Sequence, residues 1–267
     1  MRPLIKWTLW ERRWSTLWWI IGVVAFISIN MVFYPTIRDQ ASEFEKTFSQ
    51  LSEGTKALLS DTGEFFSPVG YLSSQIFYLM MPMLLGILAI GAGASLIGKE
   101  EREGTIELIL SRPVPRGRLL ASKAIAGILI LLAVGLIGTM ATAIWGALVD
   151  IDIGFGYIVL AGLASILMAM CFGAIAFAIT TLGRGARAAS IGGAVFIALG
   201  GYILVSLSGS VDWLKWPAKA FPFDYYHPAE ILTGTYNWAN MLFIVGVIIA
   251  CVIVSWLAFR RRDISAS

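Results

Sequence analysis

The sequence predicts an all-α, polytopic membrane protein with six transmembrane helices and both chain ends on the inner side. Three observations lead there. Hydrophobic residues make up 58% of the 267 and charged residues only 14%, whereas a soluble domain carries about 45–50% and about 25%. Six runs are long enough for a hydrocarbon core of about 30 Å, which takes roughly 20 apolar residues in a helix, and none has an Asp, Glu, Lys, Arg or His in its interior. Fifteen of the 20 Lys and Arg fall in the connections on one side, and eleven of the 17 Asp and Glu on the other. Basic loops stay on the cytoplasmic face, so that side is the inner one. The net charge of +3 is the sum of two opposed faces, which speaks against a nucleic-acid partner.

The elements follow in order. Pro3 to Trp14 reads as a short helix lying on the inner surface, with its basic residues at the level of anionic headgroups. Met1 to Arg13 is basic and is followed by apolar residues, as a leader would be. The apolar run is too long for one, is rich in Trp, and shows no small-residue cleavage pattern before Pro35, so it is read as a retained span. The six spans are placed at 14–32, 71–97, 124–149, 155–182, 188–208 and 238–259, within one transmembrane domain covering 1–267. Outside lie 35–70 and 209–237. In the first, Ala41, Phe44, Phe48, Leu51 and Leu58 recur at three- and four-residue steps between charges, which predicts an amphipathic outer helix over Arg38 to Leu59. It rests on the outer leaflet or caps the bundle; a gate over a path is the sharper alternative.

The second outer segment is rich in Pro and rings, from Trp213 to Pro228, and is read as an interfacial fold-back. Asp224, His227 and Glu230 there have no ligand spacing and read as solvated loop groups, so no metal site is expected. Trp7, Trp10, Trp14, Trp18, Trp19 and Trp256 mark the inner boundary, and Trp145, Trp213, Trp216 and Trp238 the outer one. Small-residue stripes at Ser165, Ala169 and Gly173 and at Ser190, Ala194 and Ala198 allow close helix approach, within one chain or between two. Cys171 and Cys251 lie in apolar runs and read as packing residues.

The most charged stretch of the chain joins the second and third spans, over 98–118. Thr105 is placed as an N-cap, and Glu107 in the first turn favours the positive helix end. Ile106, Ile109 and Leu110 share one face, and Pro113 ends the helix. Two turns of helix with an apolar stripe, set among acids and Arg, suit a groove on a partner protein.

These residues resemble the permease subunits of ABC exporters of the ABC-2 type, in particular the small six-span branch. The match is Glu100, Glu101, Gly104, Thr105, Leu108, Leu110, Ser111, Pro113, Arg116 and Lys123. Weaker likenesses run through Ser67-Pro68-Val69-Gly70 and through Phe221 to Pro228. The resemblance implies that the loop is a coupling helix docking on a separate ATPase subunit. The contact set would then be Glu100, Glu101, Glu103, Gly104, Thr105, Ile106, Glu107, Ile109, Leu110, Arg112, Pro113 and Arg116. It also implies a second permease copy or paralogue, residence in the cell membrane, and ATP and Mg bound by the partner ATPase.

No G-x-x-x-x-G-K-[ST] occurs, so the chain is expected to bind no ATP of its own through such a loop. Ion-driven carriers generally use ionisable groups or broken helices at mid-membrane, and an ionisable residue there costs about 2.5–3.5 kcal/mol to insert. The spans carry none, nor any catalytic motif, so the chain is read as a non-catalytic permease whose energy comes from a partner. Phe77, Tyr78, Met80, Met81 and Met83, around Pro82, are the candidate substrate contacts; such residues also serve simply as packing groups. The alternatives are a membrane scaffold or sensor that recruits a cytoplasmic protein, and an ATP-independent carrier. Substrate identity is not legible in the residues.

Overall fold

The computed structural model describes residues 2–40, 50–59, 66–95, 116–183 and 186–261. Helix α1, Arg2–Glu11, breaks at Arg12 and resumes as α2, Arg13–Asp39. A short α3 covers Glu53–Leu59. Then come α4, Pro68–Ser95, and α5, Arg116–Leu148. They are followed by α6, Phe155–Leu182, and α7, Arg187–Ser208. A fold-back containing α8, Pro228–Thr233, leads into α9, Met241–Arg261. Six of these elements are long and apolar enough to cross a membrane, at 21 to 32 residues each, and no strand occurs among the described residues.

The expected spans are all present, with two changes at their ends. Helix α2 continues through Pro35 to Asp39, so Arg38 and Asp39 end the first span rather than opening a separate outer helix. Proline inside a spanning helix is tolerated because neighbouring groups re-satisfy the freed carbonyl. Of the predicted outer amphipathic helix, α3 is the described part, and 41–49 lies outside the described residues. Helix α5 starts at Arg116, two turns before the expected entry at 124, and carries Arg118 and Lys123. Hydropathy marks where apolar residues begin, whereas backbone hydrogen bonding continues past that level.

Between apolar helices in lipid no hydrophobic force acts, so close backbone approach decides which helices pair. Helices α4 and α6 are the centre: 67% and 56% of their spanning windows are buried, against 17% to 22% for α2, α7 and α9. Their contact is glycine on glycine. A methyl group added to Gly93 would overlap the Gly173 carbonyl, and one added to Gly173 would overlap Ala89. The stripe ending at Gly173 is thus an intrachain seam.

Hydroxyls within the spans are satisfied locally. Thr139, Thr142 and Ser165 donate to the carbonyls of Gly135, Gly138 and Ala161 four residues back, as a group without water must. Ser190 of the second stripe donates to the Ala176 carbonyl at 2.8 Å, which ties α7 to α6. Trp145 Nε1 on α5 donates to Ser28 Oγ on α2 at 2.8 Å, and the Tyr71 hydroxyl on α4 donates to the Asn30 carbonyl at 2.7 Å.

Candidate functional site

The residues singled out in the sequence fall in two places: the α4–α5 connection and the first half of α4. Of the predicted docking residues, Glu100, Glu101, Glu103, Gly104, Thr105, Ile106, Glu107, Ile109, Leu110, Arg112 and Pro113 lie outside the described residues. Arg116 opens α5. The structure does describe what grips the two ends of this connection. At the break between α1 and α2, Arg12 Nη2 donates to Ser95 Oγ at 2.7 Å, which pins the last residue of α4 to the N-terminal helix. Helix α1 also packs against α5, and Lys123 is buried there. Contacts at the two ends of this connection thus hold α1 to both α4 and α5.

Helix α1 is built for an interface. Its Thr8 is buried and bonds back to the Leu4 carbonyl, while Trp7, Trp10, Trp14 and Trp18 stand exposed along α1 and the start of α2. The Arg13 guanidinium lies 3.7 Å over the Trp10 ring. This pairing of a cation with an indole face suits the headgroup level.

The candidate path residues fall on an interrupted helix. After the Ser67 side chain caps α4 by accepting from Gly70 N at 2.9 Å, the backbone widens into a π-helical stretch, Ser73–Tyr78. A π turn misaligns the hydrogen-bond ladder and leaves a carbonyl seeking a donor, which is one reason such turns mark functional places. Here the Tyr226 hydroxyl donates to the Phe77 carbonyl at 2.7 Å. The Ser165 hydroxyl of α6 lies 2.7 Å from the same Tyr226 oxygen and 2.9 Å from the Ala161 carbonyl. Since the tyrosine proton goes to Phe77, the serine proton is shared between Tyr226 and Ala161. One residue further along α4, the Tyr78 hydroxyl meets Ser206 Oγ of α7 at 2.7 Å.

Phe77, Tyr78 and Met81 are buried inside the chain, whereas Met80 and Met83 are half-buried. Residue reasoning missed Tyr226, Ser165 and Ser206 as partners of this turn. The outer fold-back was expected to sit wholly at the interface, and it divides instead. Trp213 and Trp216 are 74% and 84% exposed, while Phe223 and Tyr226 enter the core. Phe223 bridges Phe172 and Tyr202 at 5.8 and 5.6 Å between ring centres. Of the loop's ionisable groups, Glu230 is exposed, and His227 and Asp224 are half-buried. Burial and the neighbouring Glu230 push the Tyr236 phenol up to about 12, and its hydroxyl donates to the Tyr225 carbonyl.

Among the described residues no group of three or more His, Cys, Asp or Glu could hold a metal ion. The family model for ABC-2 family transporter proteins matches residues 9–264, nearly the whole chain and all six spans. The chain belongs to this family. No curated protein matches it. As an ABC-2 chain it is a multi-pass membrane component of a transporter, in keeping with six apolar helices around one α4–α6 centre.

Proposed function

We propose that this ABC-2 chain is the permease subunit of an ATP-driven exporter in the cell membrane, with both termini in the cytoplasm and a separate ATPase subunit docked on 98–118. The family match over residues 9–264 carries the reading. It is supported by the absence of a phosphate-binding loop from the sequence and by the broad apolar faces that α2 and α7 leave exposed, which suit a second copy or paralogue. ATP and Mg belong to the ATPase. Its closure would press on Glu100 to Ser111 and move α4 and α5. Cargo would pass Phe77, Tyr78, Met80, Met81 and Met83, and because Phe77, Tyr78 and Met81 are buried, contact there requires α4, together with α6, to part from its other neighbours.

The test is reconstitution with the cognate ATPase in liposomes. Glu101→Ala, Gly104→Val and Ile109→Glu should each reduce coupled transport by about tenfold or more, with normal insertion and intact basal hydrolysis. Normal transport by all three refutes the docking assignment. Transport by the chain without any ATPase refutes the exporter reading itself.

A further inference from the structure

A cavity of about 480 Å³ opens between α4, α5, α6 and α9, at the bundle end where α5 begins and α9 finishes. Its size falls within the roughly 300–1,000 Å³ typical of ligand sites. Ala92, Gly117, Ala124, Gly127, Phe177 and Trp256 are among its walls, and of all the lining residues only Ser255 and Trp256 carry a polar side-chain atom. The Ser255 hydroxyl donates to the Cys251 carbonyl at 2.7 Å and is spent within its own helix. A water needs two to four polar partners to be held, so this space does not retain water.

Between α4 and α6 small residues bring backbones together, as Gly93 and Gly173 do. On α5 the series Gly117, Ala121, Ala124 and Gly127 instead faces open volume. From Gly117 to Leu131, both lining residues, the wall runs roughly 21 Å along the helix. One leaflet is about half of a 30 Å hydrocarbon core, so the cavity spans a leaflet's depth, where the surrounding solvent is acyl chain.

A basic group stands next to the end of the cavity where α5 begins. Gly117 meets Trp256 there: a carbon added at Gly117 lies 3.8 Å from the indole nitrogen. Arg118 stands exposed in the first turn of α5, next to the lining Gly117. Basic groups at the rim of an interhelical pocket attract anionic headgroups.

We propose that this cavity is a site for one anionic phospholipid, with an acyl chain between α5 and α9 and its phosphate at the Arg118 rim. The proposal rests on the membrane-spanning fold and is independent of ATPase coupling.

The test uses the purified full-length chain alone, exchanged into micelles containing phosphatidylglycerol and phosphatidylcholine, with retained lipid counted by native mass spectrometry. The wild type should keep one phosphatidylglycerol in preference to phosphatidylcholine. Ala124→Phe, which puts a ring into the cavity, should lower retention about tenfold. Ala121→Leu serves as a milder filler should Ala124→Phe not fold, and should lower it severalfold. Arg118→Gln should reduce the preference for phosphatidylglycerol while leaving an acyl chain bound. The proposal is overturned if the wild type retains no lipid or retains both lipids equally. It is also overturned if a folded filling variant retains lipid like the wild type, or loses self-association instead, which would make a second copy of the chain the occupant.

Discussion

Tyr226→Phe tests whether the outer fold-back holds the π turn of α4. The substitution removes one oxygen and keeps the ring that packs edge-on against Phe223 at 6.4 Å. Tyr226 is fully buried, so water does not replace the lost donor at the Phe77 carbonyl. Ser165 does not suffer equally, because its hydroxyl retains the Ala161 carbonyl at 2.9 Å. One buried acceptor therefore loses this donor, at a cost of about 1–3 kcal/mol, which is roughly five- to 150-fold in the folding equilibrium. Ser165→Ala removes only a proton shared between two acceptors and should cost less, about 0.5–1.5 kcal/mol. Because both side chains meet at one oxygen, the double variant should cost less than the sum. Unfolding of the purified chain in mixed micelles, followed by circular dichroism against rising denaturing detergent, gives the three values. Tyr226→Phe within 0.5 kcal/mol of wild type, or strict additivity, refutes the idea that this hydroxyl completes the π turn.

Three further outcomes are expected. Gly93→Ala forces a methyl group against the Gly173 backbone and should destabilise by about 1–3 kcal/mol, the usual range for overpacking, read as a lower unfolding midpoint in the same assay. Gly234 ends α8 in the left-handed region at φ 78°, with the Tyr157 ring where a Cβ would go. Gly234→Ala should therefore lose at least the roughly 1–2 kcal/mol of left-handed strain, and Tyr157→Ala should recover the part due to the ring. The raised Tyr236 phenol has a sign that follows from linkage. The folded chain holds this proton where the unfolded chain has released it, so stability is intact below about pH 10 and falls as pH rises toward about 12. Tyr236→Phe should flatten that fall in thermal scans between pH 9 and 11.

Much of the fold is legible because bilayer thickness imposes a length that sequence must meet. Each of the six runs, at 19 to 28 residues, reaches the spanning range, and each became a helix. The loose points are ends: Pro35 does not stop α2 and Arg118 does not delay α5, since polar residues leave the hydrocarbon without leaving the helix. The π turn at Ser73–Tyr78 is silent in sequence, because an inserted residue in an apolar run changes no composition. Tyr226 was hidden for a related reason. Among rings expected at an interface, nothing local distinguishes the one that turns inward to Phe77 from the Trp213 and Trp216 that face outward. Gly173 was visible as a member of a small-residue stripe, but its partner Gly93 emerges only when α4 and α6 are laid together. The cavity is still less readable, being a property of the space that four helices leave among them.

The glycine seam between α4 and α6 has a mechanical corollary. Two rods touching backbone to backbone, with a carbonyl where any methyl would collide, have no clearance to roll or slip past each other. They form a single axle running from the Arg12–Ser95 clasp at one membrane face to the Tyr226 clasp toward the other. Compliance then falls to the outer staves, α2 and α7 above all, while the axle keeps its shape.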